Sequence, residues 1–499
     1  MRSEARASGD TDRLRAGSIS LPDTIAQSVT VMAPAMSGAF ITYLAAVKAG
    51  GATPLAFVLA LFSCLLIGGV VGEFALHLPS AGSLYTYVSN GLGPLWGVVV
   101  GWTYTVGFVV VGPAVLAGFS VFTSMVMRHH AAPTPMQQWW VWFAVGVAAY
   151  FVLSYYGIQF STRTELIFTV ATAATLLLLA AIIIFDGGAA GNTIDAFRPA
   201  AAGVTWPLVM GGLAFGILSF TGFETAAVLA EETRDPRRNI PLAVIGAVVF
   251  GGVFYIVVTY ATAVGYGIRE ATVAWPKSAG GLSALSQRYA AWLGDWVLLA
   301  GGFSALFCGL GVHNAVARTA YAMGREGVLP RVLGRTHRRH GTPHVAIAVN
   351  LVLVVVGAAA IIGATGAGTR DAVGATPGPL SAGFYLFTEG LTIGTPLIMF
   401  CYTVLSVAGI SFGWRRAATQ PNNVRHGAVS LGALVASAVA LFGSLYYSFV
   451  AATPGVGIPG PYRAVPLLDA VAVAVGAAGA LAVRWRDPRA WAGIGRLFD

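Results

Sequence analysis

Charged residues, lysines and cysteines are all scarce in this chain of 499 residues. Asp, Glu, Lys and Arg make up 10% of it, against about 25% in a typical soluble protein. This deficit excludes a disordered chain, a coiled coil and a typical cytosolic enzyme. The three cysteines, Cys64, Cys308 and Cys401, each lie inside an apolar run. We therefore expect small buried side chains rather than a disulfide framework.

Apolar residues, by contrast, form 56% of the sequence and gather in long continuous runs. A run of about 20 apolar residues can cross a bilayer as a helix, and continuous rather than alternating apolarity favours helices over a barrel. The sequence thus predicts an all-α integral membrane protein with about 12 transmembrane helices. The approximate spans are 23–47, 54–77, 94–127, 137–157, 165–185, 206–231, 239–267, 294–322, 343–364, 380–412, 427–450 and 464–484.

The basic residues indicate how these spans are oriented. With the N-terminus in the cytoplasm, 21 of the 29 Lys and Arg lie on the cytoplasmic side and 8 on the other. Both termini are therefore expected in the cytoplasm, as tails over 1–22 and 485–499. This topology explains the net charge of +9 and removes nucleic acid as a partner. Arginine outnumbers lysine 27 to 2, which suggests a GC-rich bacterial genome and hence a bacterial inner membrane.

Two spans carry signals for an interrupted helix. Span 1 contains APAMSG at 33–38, and span 6 contains GILSFTGFE at 216–224. Proline removes an amide donor, and glycine with serine permits a non-helical turn. In lipid, such a break survives only where it lines a cavity or a ligand site. A simple kink at Pro34 and close packing at Gly222 are the alternative.

The two interruptions hold equivalent places in two five-helix halves. Paired breaks of this kind indicate an inverted-repeat transporter, with repeats over 23–185 and 206–412 followed by two more helices over 427–484. Amides freed at one break can bind an anionic group, and carbonyls freed at the other can bind an ammonium group. An α-amino acid presents both charges a few ångströms apart.

Three motifs resemble the amino acid–polyamine–organocation superfamily of permeases. They are LPSAGSLYTYVSNGLGP at 78–94, SFTGFETAAVLAEETRDPRRNIP at 219–241, and NAVARTAYAMGREGVLP at 314–330 with GTPH at 341–344. The resemblance implies the fold of the leucine transporter, which has two inverted repeats of five helices plus two more, with spans 1 and 6 unwound.

The resemblance also implies how the two breaks bind a substrate. Met36-Ser37-Gly38 matches the Gly-Ser-Gly turn of the arginine/agmatine antiporters, whose amides hold the substrate carboxylate, although methionine replaces the first glycine here. Pro34 and Thr221 fall where carbonyls face the substrate amino group.

Gating and pocket residues follow from the same comparison. Tyr104 matches a gating tyrosine, whereas Leu218 replaces a gating tryptophan and hints at a different side-chain pocket. The implied substrate-binding residues are Pro34, Met36, Ser37, Gly38, Tyr104, Gly107, Phe108, Leu218, Ser219, Thr221 and Gly222.

Four further residues are candidates for coupling or gating, because ionisable groups at membrane depth are costly and usually functional. Glu224 is either a protonatable switch or a neutral acid that fixes helix packing. Glu389 either faces the cavity or lies in water at the outer end of its span. His313 is either a proton carrier or a packed neutral residue. Thr172 stands where some proton-coupled relatives have a lysine, and its hydroxyl could instead complete a sodium-like site.

These observations predict a secondary active transporter for an amino acid or related amine, working by alternating access. An exchanger or a facilitator without ion coupling is the main alternative, and a channel a weaker one, since no ring of charge or repeated carbonyl loop is evident. No HExxH, GxSxG or phosphate-binding loop lies in a suitable context, so no enzyme is expected. No cofactor is implied, H⁺ and Na⁺ are both possible coupling ions, and the oligomeric state is left open.

Overall fold

Helices account for nearly all regular structure in this chain. The computed structural model describes Leu14 and residues 16–155, 158–277, 281–337, 341–365, 381–417, 424–450 and 464–495. Most of the predicted N-terminal tail, and residues 496–499 of the C-terminal one, lie outside this set. Across the described residues there is no β-strand, only a single parallel bridge between Ile19 and Thr233.

The longer helices are numbered here in chain order. In the first half they are α1 Leu21–Val31, α2 Thr42–Ala49, α3 Thr53–His77, α4 Leu84–Leu92, α5 Pro94–His129, α6 Trp139–Tyr155 and α7 Ile158–Asp186. In the second half they are α8 Trp206–Phe220, α9 Pro236–Tyr266, α10 Ile268–Ala274, α11 Leu282–Tyr289, α12 Gly294–Arg325, α13 His344–Thr365, α14 Ser381–Ala417, α15 Val424–Val450, α16 Val465–Arg486 and α17 Pro488–Gly493.

Every predicted span overlaps one of these helices. Within the described residues, 10 helical stretches are long and apolar enough to cross a membrane. The first of them, Leu21–His77, contains predicted spans 1 and 2, and Trp139–Tyr155 is a shorter apolar helix at the place of span 4. The all-helical membrane fold is therefore confirmed, while the number of crossings and the repeat boundaries stay predictions.

The central helix of the bundle is α5, which packs along α14 and α12, while α9 packs along α3. Their contacts form one large apolar core. All three cysteines are buried in it and free, as the sequence predicted.

One end of the bundle, here called the N-terminal face, joins distant parts of the chain. Ile19 N donates to Glu232 O at 3.0 Å, and Arg234 N donates to Ile19 O at 2.9 Å. This ties the segment before α1 to the connection after span 6.

The C-terminal strap, residues 487–495, closes the same face. Its Gly495 amide donates to Glu326 Oε2 at 2.9 Å, and Gly495 O accepts from Asn90 Nδ2 at 3.0 Å. The Tyr85 hydroxyl donates to the same Glu326 oxygen, and buried Ile494 packs beside Tyr85. The strap therefore fastens α4 to the end of α12.

Candidate substrate site at two helix breaks

The helix of span 1 is interrupted at Met32 and Ala33. Ala33 has a left-handed φ of 48°, and a new helical segment begins at Pro34. Proline sets this position, because it has no amide hydrogen, disfavours a helical residue before it and suits the first place of a helix. Residues 36–38, expected to form the open turn, are helical instead and lead into a π-helical turn over Ser37–Ile41.

Because the new helical segment begins at Pro34, its free amide donors lie at the start of that segment rather than in a turn at residues 36–38. The first amides of a helix have no carbonyl one turn earlier, and here they belong to Ala35 and Met36, since Pro34 has none. The Ser37 amide donates to Ala33 O at 2.8 Å, and its hydroxyl donates to Met32 O at 3.2 Å. The segment can thus offer the amides of Ala35 and Met36 to an anionic group.

The helix of span 6 is interrupted at Thr221 and Gly222. α8 ends at Phe220, Gly222 has a φ of 107°, and a 3₁₀-helix follows over Phe223–Leu229. A Cβ on Gly222 would meet the Cβ of Val31 at 2.8 Å, so both the backbone angle and the close approach of span 1 require glycine. The buried Thr221 hydroxyl has no hydrogen-bond partner among the described residues, which leaves it for a ligand.

The two breaks are joined to each other by hydrogen bonds. Ser28 Oγ donates to Phe223 O at 2.5 Å and accepts from the Ala226 amide at 3.0 Å. The Tyr255 hydroxyl lies 2.8 Å from Met32 O and 2.7 Å from Ser219 O. Because a hydroxyl has one hydrogen, Tyr255 donates to one of these carbonyls at a time. Spans 1, 6 and 7 therefore form a connected unit around both breaks.

Glu224 joins span 6 to spans 3 and 10. Its carboxyl group is fully buried and accepts from Tyr104 at 3.0 Å, from Tyr402 at 2.5 Å and from the Gly222 amide at 3.1 Å. Three donors satisfy the buried carboxyl group. The predicted residues Tyr104 and Glu224 are thus in direct contact, and Phe108 packs edge-on against Tyr104, with centroids 4.6 Å apart.

Two predicted pocket glycines face other helices. A Cβ on Gly38 would lie 3.1 Å from Phe254 and 3.2 Å from Leu176. A Cβ on Gly107 would lie 3.2 Å from Ile398. Both glycines allow helices to approach closely. Met36 and Ser219 are buried, and Leu218 is half-buried, all three near the breaks in sequence.

The remaining coupling candidates lie in three different places. His313 Nδ1 is 2.7 Å from Asn350 Nδ2 on α13, so this side chain faces a neighbouring helix. Thr172 donates to Thr169 O at 3.2 Å, and the Thr169 hydroxyl lies 2.8 Å from that of Thr30 in span 1. Glu389 is 1% exposed, which places it in the interior rather than in water at a helix end.

An aromatic cluster lies toward the other end of the bundle. Phe40 stacks on Phe122 with ring centroids 3.8 Å apart, and Phe387 meets Phe122 edge-on at 5.7 Å. Phe122 lies about five helical turns beyond Tyr104 on α5. Side chains therefore pack across the bundle on both sides of the breaks.

A buried ion pair stabilises the N-terminal face. Arg318 donates to the two carboxylate oxygens of Glu232 at 2.6 and 3.2 Å, and both side chains are 2% exposed. Arg325 pairs with the adjacent Glu231 at 2.9 Å, but these side chains are 21% and 27% exposed. Both pairs join α12 to the connection that follows span 6.

Three important side chains were missed in the sequence. Tyr255 and Tyr402 lie in long apolar helices, where a tyrosine is an ordinary packing residue. Ser28 comes before the break it supports. The Arg318–Glu232 pair could have been inferred, because both residues lie in the motifs quoted above.

The sequence of this chain is similar to those of known membrane permeases. The sequence model of a family described as "Amino acid permease" matches residues 19–475. The "Low-affinity putrescine importer PlaP" of Escherichia coli K12 is 27% identical over 316 residues, which are 61% of this chain and 65% of PlaP.

Two further relatives cover similar shares of this chain. The "Branched-chain amino acid permease BcaP" of Bacillus subtilis is 28% identical over 329 residues, 62% of this chain and 68% of BcaP. The human "Cationic amino acid transporter 4" is 27% identical over 337 residues, 62% of this chain and 50% of that protein. With the family match over nearly its whole length, the chain belongs to the amino acid permease family.

Proposed function

We propose that this chain is a secondary active transporter that moves an amino acid or a related amine across a membrane by alternating access. The observation that carries the proposal is the pair of facing breaks. One offers the amides of Ala35 and Met36 at a helix start, and the other offers the unpaired Thr221 hydroxyl. A small ligand with an anionic and a cationic group would meet complementary groups there.

The packing on both sides of the breaks supports alternating access. The Glu224 cluster, formed with Tyr104 and Tyr402, is one barrier. The aromatic cluster around Phe122 is the other. A carrier opens one such barrier at a time, whereas a channel needs a continuous path. This favours a carrier over a channel.

The relatives point to the same class of substrate. PlaP is named as a putrescine importer and BcaP as a branched-chain amino acid permease. We extend this class, an amino acid or an amine, to the present chain. The basic residues support a multi-pass protein of the bacterial inner membrane with both termini in the cytoplasm, and H⁺ or Na⁺ is the coupling ion if transport is coupled.

Uptake by purified protein in liposomes tests the proposal. Labelled putrescine, leucine and arginine are supplied with and without pH and Na⁺ gradients, and with substrate preloaded inside. Saturable uptake of at least one compound is expected. Stimulation by preloading alone would indicate an exchanger. Absence of saturable flux from folded protein, or unitary currents in a planar bilayer, would contradict a carrier.

A hydroxyl deletion tests the Glu224 barrier. Tyr402→Phe removes a donor to a buried carboxyl group, which costs about 1–3 kcal/mol, so we expect the transport rate to change by about fivefold or more. Tyr87→Phe is the control, because Tyr87 is also fully buried and its hydroxyl has no hydrogen-bond partner within the described residues. Equal transport by the two variants would remove the Glu224 cluster from the mechanism.

A further inference from the structure

Two histidines and an aspartate meet at the end of the bundle opposite the N-terminal face. His129 ends α5, His130 follows it as the C-cap, and Asp295 lies in the first turn of α12. His129 Nδ1 is 2.9 Å from Asp295 Oδ1, and His130 Nε2 is 2.8 Å from Asp295 Oδ2. None of these residues belongs to the breaks or to the two barriers.

The spacing of these atoms suits a metal ion. One ligand atom from each residue can be chosen so that all three lie within 4.8 Å of one another. A tetrahedral zinc ion binds imidazole nitrogen and carboxylate oxygen at about 2.0–2.2 Å, which puts its ligand atoms about 3.3 Å apart. Small side-chain rotations would widen the present nitrogen–oxygen distances to that value.

The backbone that carries the histidines is held in place by hydrogen bonds. The amides of His130, Ala131 and Ala132 donate to carbonyls of α5 at 3.1, 3.1 and 2.9 Å. The neighbouring cation, Arg128, donates to Gln137 O at 3.1 Å. The two imidazoles are thus presented on a fixed turn, which lowers the entropic cost of binding an ion.

We propose that His129, His130 and Asp295 bind a zinc ion or a similar divalent transition metal. Two imidazoles and one carboxylate suit zinc, copper or nickel better than calcium or magnesium, which prefer oxygen ligands. The histidine side chains are 67% and 63% exposed, so an ion can enter from solvent and a fourth position stays open to water. A bound ion would join the ends of α5 and α12.

A two-residue pair on α3 provides the control. His77 Nε2 lies 3.2 Å from Glu73 Oε1 one turn earlier on the same helix, so this pair combines a histidine and a carboxylate. Across the described residues, the group around Asp295 is the one set of three such side chains with this spacing. Removing His77 should therefore leave metal binding unchanged.

The test measures zinc and cobalt binding to full-length protein purified without a polyhistidine tag. Zinc titration calorimetry should give one ion per chain, and cobalt should give the visible absorption of a tetrahedral site. His129→Ala/His130→Ala should weaken zinc binding by more than about tenfold. Asp295→Asn, which keeps the side-chain shape but replaces a carboxylate oxygen by an amide nitrogen that does not bind metal, should also weaken it, and His77→Ala should not. Zinc should raise the unfolding temperature of the wild type and His77→Ala only.

Three results would overturn the proposal. One is a wild-type protein that binds no zinc. Another is equal zinc affinity in the wild type and the double variant, which would place the metal elsewhere. The third is Asp295→Asn with wild-type affinity, which would reduce the group to a hydrogen-bonded link between two helices.

Discussion

At the residue scale, the chain places its few charges where they hold separate segments together. Arg318 and Glu232 form a bidentate pair with both side chains 2% exposed. Two such charges are costly to remove from water, and their mutual attraction offsets that cost only while both are present.

Arg318→Met should therefore be severely destabilising, by about 3–5 kcal/mol, because it leaves Glu232 buried without a partner. The double variant Arg318→Met/Glu232→Gln should recover part of this loss. Thermal unfolding of the wild type, both single variants and the double variant gives the coupling directly.

The neighbouring pair provides the comparison. Arg325 and Glu231 are about a quarter exposed, so Arg325→Met should cost at most about 1 kcal/mol. Equal losses of unfolding free energy in Arg318→Met and Arg325→Met would show that burial does not govern the strength of these ion pairs.

Single residues of the candidate site were easier to predict than their contacts. Glu224 and Tyr104 were identified separately, one as an ionisable group at membrane depth and one by resemblance. Their contact with Tyr402 was not predicted. Tyr402 lies on α14, which is apolar on most of its surface, so the sequence does not show which side of this helix faces span 6. Rotation about a helix axis is fixed by packing, which a uniformly apolar pattern does not encode.

At the scale of the element, both interruptions lie beside the proline or the glycine of the sequence signal, because these residues act locally. In span 1 the break lies before Pro34 rather than at residues 36–38, and this difference has the same cause. Pro34 starts a helix rather than opening a turn, so the backbone departs from helical geometry before it. The proline favours a break on its N-terminal side, and hydrogen bonds from Tyr255 and Ser37 to Met32 O stabilise the break there.

Gly222→Ala tests the second interruption. Its left-handed φ of 107° costs a non-glycine residue about 1–2 kcal/mol, and the added methyl group would also press on Val31. We expect a lower unfolding temperature and loss of transport. Gly246→Ala is the control on α9, where an added Cβ meets nothing within 4 Å, and it should be tolerated. A fully active Gly222→Ala protein would show that this turn can change its conformation freely.

At the scale of the whole molecule, the fold class followed from composition, and the arrangement of the N-terminal face did not. Apolar run lengths predict helices in lipid whatever their neighbours are. The Glu326 carboxyl group, by contrast, accepts hydrogen bonds from Tyr85 and from the Gly495 amide. No local sequence pattern links residues so far apart. Long-range polar contacts of this kind become visible only in the structure.

The stability of that face should depend on pH. Burial raises the pKa of Glu326, although hydrogen bonds from Tyr85 and Gly495 oppose this shift. A carboxyl group with a raised pKa in the folded state contributes stability below its usual pKa, and this contribution is lost as pH rises through the folded-state value. Glu326→Gln stays neutral at every pH. As pH increases from about 4 to 8, its unfolding temperature should therefore rise relative to that of the wild type.

The exposed Glu270 provides the matched variant. Glu270→Gln removes one carboxyl group from the surface and leaves the strap intact. If the difference in unfolding temperature between Glu326→Gln and the wild type does not change with pH, titration of Glu326 is excluded as its cause.

The contacts of the strap can form only after residues 487–495 have been synthesised. The contact between Asn90 and Gly495 joins residues 405 positions apart. At about 5–20 residues per second, a ribosome needs roughly 20–80 s to cover that distance. During this interval α4 is already synthesised, but Tyr85 and Asn90 have no strap to bind. A chain that stops before residue 487 would lack the contacts of Ile494 with Tyr85 and of Gly495 with Asn90, so both side chains would lose their cover at this face.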